Sequence, residues 1–189
     1  MKIILEHIAI LSTGIYAQPD ILADTLYLQG NHFYETGSFD QSVKPQLKLS
    51  DKHEKHMLQN NDILFAAKGL NNFAVCYHNS IGQAVASSSF IVIRIAPEYR
   101  NQVIPEYIVW YINNSKQVTV FHKTKATTTI PSISIAQLSQ LEIDIPDRAA
   151  QDLIVQVQQL RDKEKQTIKR LAFLKDKLTQ QTLLKASKK

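Results

Sequence analysis

The sequence predicts an α+β protein, a single globular domain on a mixed or antiparallel sheet followed by a long C-terminal helix. Three observations carry that expectation. Short apolar runs bounded by turn residues recur at 25–29, 63–67, 73–77 and 84–95, the pattern of strands. Helical segments between them are few and short. After Pro146, some 40 residues contain neither glycine nor proline, so nothing interrupts one long helix.

In chain order, residues 3–11 read as a first strand ended by the turn Ser12-Thr13-Gly14. Thr25 to Gln29 alternates as a strand and runs into the polar-aromatic loop Gly30-Asn31-His32-Phe33-Tyr34. Ser50 to Leu58 is charged and reads as one or two helical turns with Ser50 as N-cap. Asn60-Asn61-Asp62 turns into the strand Ile63 to Ala67, which ends at a second polar loop from Lys68 to Asn72. Phe73 to Tyr77 and Ala84 to Ile95 are further strands, the latter closing in a nearly continuous apolar run. Pro105 opens a helix with an apolar face of Ile108, Val109, Tyr111 and Ile112. Asn113-Asn114-Ser115 interrupts it, Lys116 to Phe121 makes a second short helix, and His122 to Thr129 is a Lys/Thr loop. A short helix near Ile133 to Gln140, a strand Leu141 to Ile145, and the breaker and N-cap Pro146-Asp147 lead into the last helix.

That helix should span 147–185, of which about 36 residues would cover roughly 54 Å. Its heptad seam reads Leu153, Val157, Leu160, Glu164, Thr167, Leu171, Leu174, Leu178 and Gln181, six of nine apolar. A lone helix cannot bury such a stripe. Of the two ways to cover it, folding back onto its own domain or pairing with a second helix, the seam favours pairing as an antiparallel coiled coil, because fold-back needs a domain as long as the helix. Glu164 and Thr167 would fix the register or the antiparallel pairing. Leu153, Val157, Leu160, Leu171, Leu174 and Leu178 are its interface residues.

At 189 residues the chain fits one domain plus an appendage, drawn at 1–146 and 147–189. An apolar fraction of 44% supports a real core and argues against global disorder. Cys76, the single cysteine, excludes an internal disulfide and a multi-cysteine zinc site, and reads as a small buried hydrophobe. The run Met1 to Leu5 meets Glu6 and His7 and is too short for a signal peptide. No stretch reaches the ~18 apolar residues of a membrane span. A cytoplasmic protein without a membrane partner is expected. Residues 150–189 hold 10 Lys and Arg against 4 Asp and Glu, or +6, and residues 1–149 hold 12 against 13, or −1. The whole excess of the net +5 thus lies in the terminal helix.

Catalytic signatures are missing. There is no Gly-x-Gly-x-x-Gly or Walker loop, no Asn-Pro-Pro-Tyr-type methyltransferase motif and no Asp/Glu-x-Lys nuclease pattern. Ser87-Ser88-Ser89 lacks the Gly-x-Ser-x-Gly elbow. His53 and His56 share a helix face but have no convincing third ligand, and read as solvated. No catalytic residue, cofactor or metal is therefore expected. What remains is three polar loops, 30–34, 68–72 and 122–129, rich in Asn, Lys, Thr and aromatics. Asn reads adenine, Lys takes phosphate or guanine, and Thr meets thymine methyls or phosphates. On side-chain chemistry, Asn31, His32, Tyr34, Lys68, Asn71, Asn72, Lys123, Lys125, Thr127 and Thr128 are the candidate DNA contacts.

Six pieces in order resemble one family. They are Leu5-Glu6-His7-Ile8-Ala9 with Ser12-Thr13-Gly14; Leu58 to Ala66, with Asn61 where the family has glycine; Ala86 to Arg94; Pro105 to Tyr111; Ile133 to Leu138; and Leu141 to Pro146 with Gln151 opening the long helix. The chain resembles half of a type I restriction–modification specificity subunit, one target recognition domain plus one conserved-region helix. Asp147-Arg148-Ala149-Ala150 departs from the family's usual second proline and Glu. The resemblance implies a non-catalytic reader of double-stranded DNA that recruits adenine methyltransferase subunits, which carry the S-adenosylmethionine. It also implies a motor-nuclease subunit as a further partner in restriction. Full-length members join two recognition domains through antiparallel helices, so a homodimer of this chain is expected to restore a two-part reader. The competing expectation is a coiled-coil adaptor that binds protein only. An excised half of a longer subunit would belong to the same functional class as the reader.

Overall fold

The structure is a computed structural model that describes residues 2–34, 37–69, 71–115 and 131–187. The chain divides into two compact units, Met1–Asp152 and Leu153–Lys189.

The first unit is built on a four-stranded antiparallel sheet in the order β2-β7-β4-β5, from β2 (Ala9–Thr13), β4 (Ile63–Ala66), β5 (Ala74–Cys76) and β7 (Phe90–Ile95). Register is fixed by pairs such as Ala9↔Ile95, Ile63↔Ile93 and Ile63↔Cys76. A parallel pair, β3 (Leu26–Leu28) and β6 (Ala84–Ala86), lies in register Leu26↔Ala84. β1 (Lys2–Ile4) pairs antiparallel with β8 (Glu142–Asp144). Mixed sheets and a long C-terminal helix are the expected α+β class.

Strands buried on both faces explain the continuous apolar runs. Leu64, Ala66, Phe90 and Val92 form one core cluster with Leu26, Leu28, Ala84 and Ala86 of the parallel pair. The alternate residues Ile63, Phe65, Ile91 and Ile93 point the other way along the pleat and are equally buried. The helices α2 (Pro105–Asn114) and α3 (Ile135–Ser139) pack on the edge strands β5 and β2. Proline at the first position of α2 fits its start. A capping box closes the start of α3: the Ser134 hydroxyl accepts the Gln137 N–H at 3.2 Å, and Gln137 Oε1 accepts the Ser134 N–H at 3.0 Å.

Two expected strands are each two. Residues 3–11 break at a 3-10 turn, Leu5–His7, that tucks Leu5 and Ile8 into the core. β1 can then pair with β8 while β2 pairs with β7. Residues 84–95 break at 87–89, so β6 and β7 serve different sheets. In both, the bend carries polar residues, Glu6-His7 and Ser87-Ser88-Ser89, a boundary signal that the apolar flanks on either side outweighed. The helical segment at Ser50 shrinks to α1 (Asp51–Glu54), with no side-chain cap from Ser50. Its hydroxyl lies 3.0 Å from His53 Nδ1 instead. The expected helix 116–121 and loop 122–129 lie outside the described residues.

The last helix, α4 (Arg148–Ala186), runs for 39 residues. Asp147 caps it, with Oδ1 accepting the Ala150 N–H at 2.8 Å. Among the described residues no helix is long and apolar enough to cross a membrane.

Candidate nucleic-acid interface

The four-stranded sheet has two ends of different chemistry, roughly 15 Å apart by the rise of its strands. At one end, here the loop end, β2 and β4 finish while β5 and β7 begin. The loop 68–72 joins β4 to β5 there. The turn 87–89 joins β6 to β7 beside it, with Ala67 N–H donating to the Ser89 carbonyl at 2.9 Å. Gly14 follows β2 and passes so close that a Cβ would stand 2.1 Å from the Ser87 carbonyl oxygen, so only glycine fits. Pro131 to Ile133 returns to the same end, its carbonyl at Pro131 accepting the Gly69 N–H and the Ile133 N–H reaching Ala67.

An aromatic cluster that side-chain chemistry alone did not single out brings the first loop to the second. Phe33 stands 6.4 Å from Phe73 and 5.9 Å from Phe90, with Phe73 and Phe90 6.3 Å apart. Phe39 meets Phe33 edge-on at 5.7 Å. Edge-to-face contacts of this kind are worth about 0.5–1.5 kcal/mol each beyond burial. Loop 30–34 is thereby held against the start of β5, directly after loop 68–72. The available signal was a phenylalanine at the rim of each polar loop.

Of the candidate contacts, Asn31, Lys68 and Asn71 are exposed, and Tyr34 is 56% exposed. Lys68 Nζ lies 3.4 Å from Ser88 Oγ, which adds the 87–89 turn to the same surface. Two others face inward. His32 is buried in the 3-10 turn Gly30–His32, where its Nδ1 accepts the Gln29 N–H at 3.3 Å. Burial pushes its pKa down, against a smaller opposing pull from Asp40. Asn72 donates to the Ala66 carbonyl at 2.7 Å and closes its loop onto β4. Its Oδ1 is buried and finds no donor among the described residues. Lys123, Lys125, Thr127 and Thr128 lie outside the described residues.

The opposite end, here the anchor end, is tied down by hydrogen bonds. Asn61 takes φ 72°, the left-handed region that asparagine tolerates better than most residues and glycine best. That explains how Asn61 stands where the resemblance has glycine. The turn aims the buried Asp62 at Arg94 in a two-pronged pair of 2.7 and 2.6 Å. The Asp62 hydrogen bond is the largest cause holding the Arg94 pKa above its ordinary value. Gln151, fully buried in the first turn of α4, accepts the Ile104 N–H at 3.0 Å and donates to the carbonyls of Gln102 at 2.8 Å and Pro146 at 2.9 Å. Tyr107 donates to the Asp144 carbonyl, and burial pushes its phenol up to about 12. A cleft of about 280 Å³ opens here, lined by Asp62, Arg94, Arg100, Glu106 and Arg148 among others. At the anchor end the polar side chains bond the protein itself, and at the loop end Asn31, Tyr34, Lys68 and Asn71 stand exposed.

Comparison with known proteins bears on the family and the fold. The family model described as the type I restriction modification DNA specificity domain matches residues 19–174. No curated protein sequence matches this chain. Among solved structures, a chain from a study of complex assembly and conformational transition of the type I R-M system aligns at TM-score 0.60 and 14% identity, over 90% of this chain and 40% of that one. The HsdS subunit from Thermoanaerobacter tengcongensis aligns at TM-score 0.60 and 11% identity, over 90% and 39%. The type I restriction-modification S subunit from M. genitalium aligns at 0.58 and 14%, over 86% and 39%. At these identities the likeness establishes the fold, and this chain spans about 40% of the length of the structures it matches.

Proposed function

From the premise that this chain belongs to the type I restriction modification DNA specificity domain family, we propose that it is a non-catalytic reader of double-stranded DNA. It reads one half of a bipartite target and recruits adenine methyltransferase subunits. The observation that carries the reading is the family match over 19–174. The convergence of Asn31, Tyr34, Lys68 and Asn71 at the loop end supports it, because these side chains suit base edges and phosphates. Lys123, Lys125, Thr127 and Thr128 are proposed as further DNA contacts on the chemistry of their side chains alone.

Two copies pair through α4 in this proposal and present two recognition domains to an inverted-repeat site. The support is the seam itself. Leu153, Val157, Leu160, Leu171, Leu174 and Leu178 are between 45% and 66% exposed, and burying each would contribute roughly 1.5–3 kcal/mol before entropy losses. A motor-nuclease subunit joins where restriction accompanies methylation.

Co-expression with a cognate methyltransferase, followed by genome-wide mapping of methylated adenines, tests the reading directly. A discrete two-part, symmetric target is expected. Methylation without sequence preference would sink it, as would DNA affinity that changes little with salt. Separately, Leu160→Lys with Leu171→Lys should turn a dimer into a monomer in sedimentation equilibrium; a surviving dimer rejects the helix pairing alone.

A further inference from the structure

The anchor end holds a group of side chains that DNA reading does not use. The ligand atoms of Cys76, His78 and Glu106 all lie within 4.8 Å of one another. His78 Nε2 and Glu106 Oε1 are 4.0 Å apart. We propose that these three residues bind a thiophilic divalent cation, zinc above all, which fastens the start of α2 to the edge strand β5.

The fold builds this arrangement from two directions. Cys76 closes β5, and His78 keeps extended geometry at φ −120°, ψ 135°. With a period of two, both side chains leave the same face, while Tyr77 between them is buried on the other. Glu106 stands in the first turn of α2. The other end of that helix is pinned to the same strand, where the Asn113 amide accepts the Ala74 N–H at 2.7 Å and donates to the Ala74 carbonyl at 2.9 Å. Asn113 and Glu106 are seven residues apart, two turns on one face and about 10 Å along the axis. Ala74 to His78 spans a similar distance at about 3.3 Å per residue. The helix thus runs antiparallel to the strand. One end is fastened by an amide fork, and at the other the three donors converge.

The donor set selects the ion. A thiolate and an imidazole prefer zinc or a similar soft to borderline metal, whereas magnesium and calcium ask for oxygens throughout. Zinc bonds of about 2.0–2.3 Å in a tetrahedron put ligand atoms roughly 3.5 Å apart. Rotamer adjustment of the half-exposed His78 and of Glu106 closes the remaining gap. Binding takes the Cys76 thiol as thiolate and releases its proton to solvent. The side chain of His78 is 49% exposed, which gives the ion a path in and leaves a fourth position for water.

The full chain, stripped with a chelator, is titrated with Co²⁺, Zn²⁺ and Mg²⁺. One Co²⁺ per chain should produce a thiolate-to-cobalt charge-transfer absorption that Zn²⁺ abolishes and Mg²⁺ does not. Cys76 is the single cysteine, so the band reports that residue. Zn²⁺ should also raise Tm. Cys76→Ser should lose the band. His78→Ala and Glu106→Gln should each weaken binding by more than the ~10–100-fold that losing a mere outer-shell partner costs, whereas His53→Ala should leave it unchanged. Circular dichroism of each variant establishes that it is folded. Three results overturn the proposal: no charge-transfer band in the native chain, a band whose affinity ignores both His78→Ala and Glu106→Gln, or saturation at one ion per two chains. DNA binding enters none of these readouts, so the site stands or falls independently of the proposed reading function.

Discussion

The two ends of one four-stranded sheet are made for opposite tasks. At the anchor end, Asp62, Arg94, Tyr107 and Gln151 spend their polar atoms on the protein itself. At the loop end, Asn31, Tyr34, Lys68 and Asn71 leave theirs largely to solvent, while phenylalanines beneath them supply the rigidity. Buried polar groups bonded to the backbone hold the fold, and exposed ones over a stiff apolar base are placed to meet a partner. The difference teaches that polarity alone does not mark a binding surface; what matters is whether the side chains are buried in the fold or left exposed.

Substitutions at the two ends should therefore separate stability from recognition. The largest loss of stability is expected from Asp62→Ala, which strands Arg94 and the Gln59 N–H. About 3 kcal/mol should be lost in urea unfolding. A loss below about 1 kcal/mol would show that the pair is not a structural element. Gln151→Ala comes next, at about 2 kcal/mol, because it leaves the nearly buried Ile104 N–H without its partner. At the loop end the sign of the comparison reverses. Asn71→Ala and Lys68→Ala should change stability by less than about 0.5 kcal/mol. Asn71→Ala should cost about 1 kcal/mol in DNA affinity at one target position if it reads a base, and Lys68→Ala should weaken all sequences alike if it holds a phosphate. Gel-shift titrations at fixed salt decide between these, and unchanged binding in both would move the reading surface elsewhere.

The smallest effect belongs to His32, which links the two behaviours. Its folded pKa is depressed below 6.5, mainly by burial, so the native state binds fewer protons than the unfolded chain. Its stabilisation is fully present above pH 6.5 and is lost as pH falls through the folded value. Thermal unfolding followed from pH 7.5 downward should show that decline, and His32→Asn should flatten its share. An unchanged slope in the variant would assign the decline to other groups, such as His56, whose pKa is also lowered by burial.

Much of the fold was legible in the sequence. Turn residues and apolar runs located β3, β4, β5 and β7, Pro105 marked the first position of α2, and Asp147 the cap of α4. Boundaries failed where a short polar bend sits between buried apolar flanks, at Leu5–His7 and at 87–89. Of the three loops expected from their chemistry, 30–34 and 68–72 meet at one end of the sheet, and 122–129 lies outside the described residues. His32 and Asn72 carried the same chemistry as their neighbours, yet their side chains turn inward to close their own loops. No local pattern separates an asparagine that bonds its own loop from one that faces solvent.

By itself the sequence determined the element types, the apolar alternation, the basic excess of the last helix and its unbroken seam, because periods of 2 and 3.6 are written along the chain. Only the tertiary structure decided which loops meet, and that Cys76, His78 and Glu106 do. Those neighbours are separated by strand order. β7 lies between β2 and β4, and α2 crosses back to β5. Such pairings are settled by the joint burial of both faces of the sheet, which no single segment encodes.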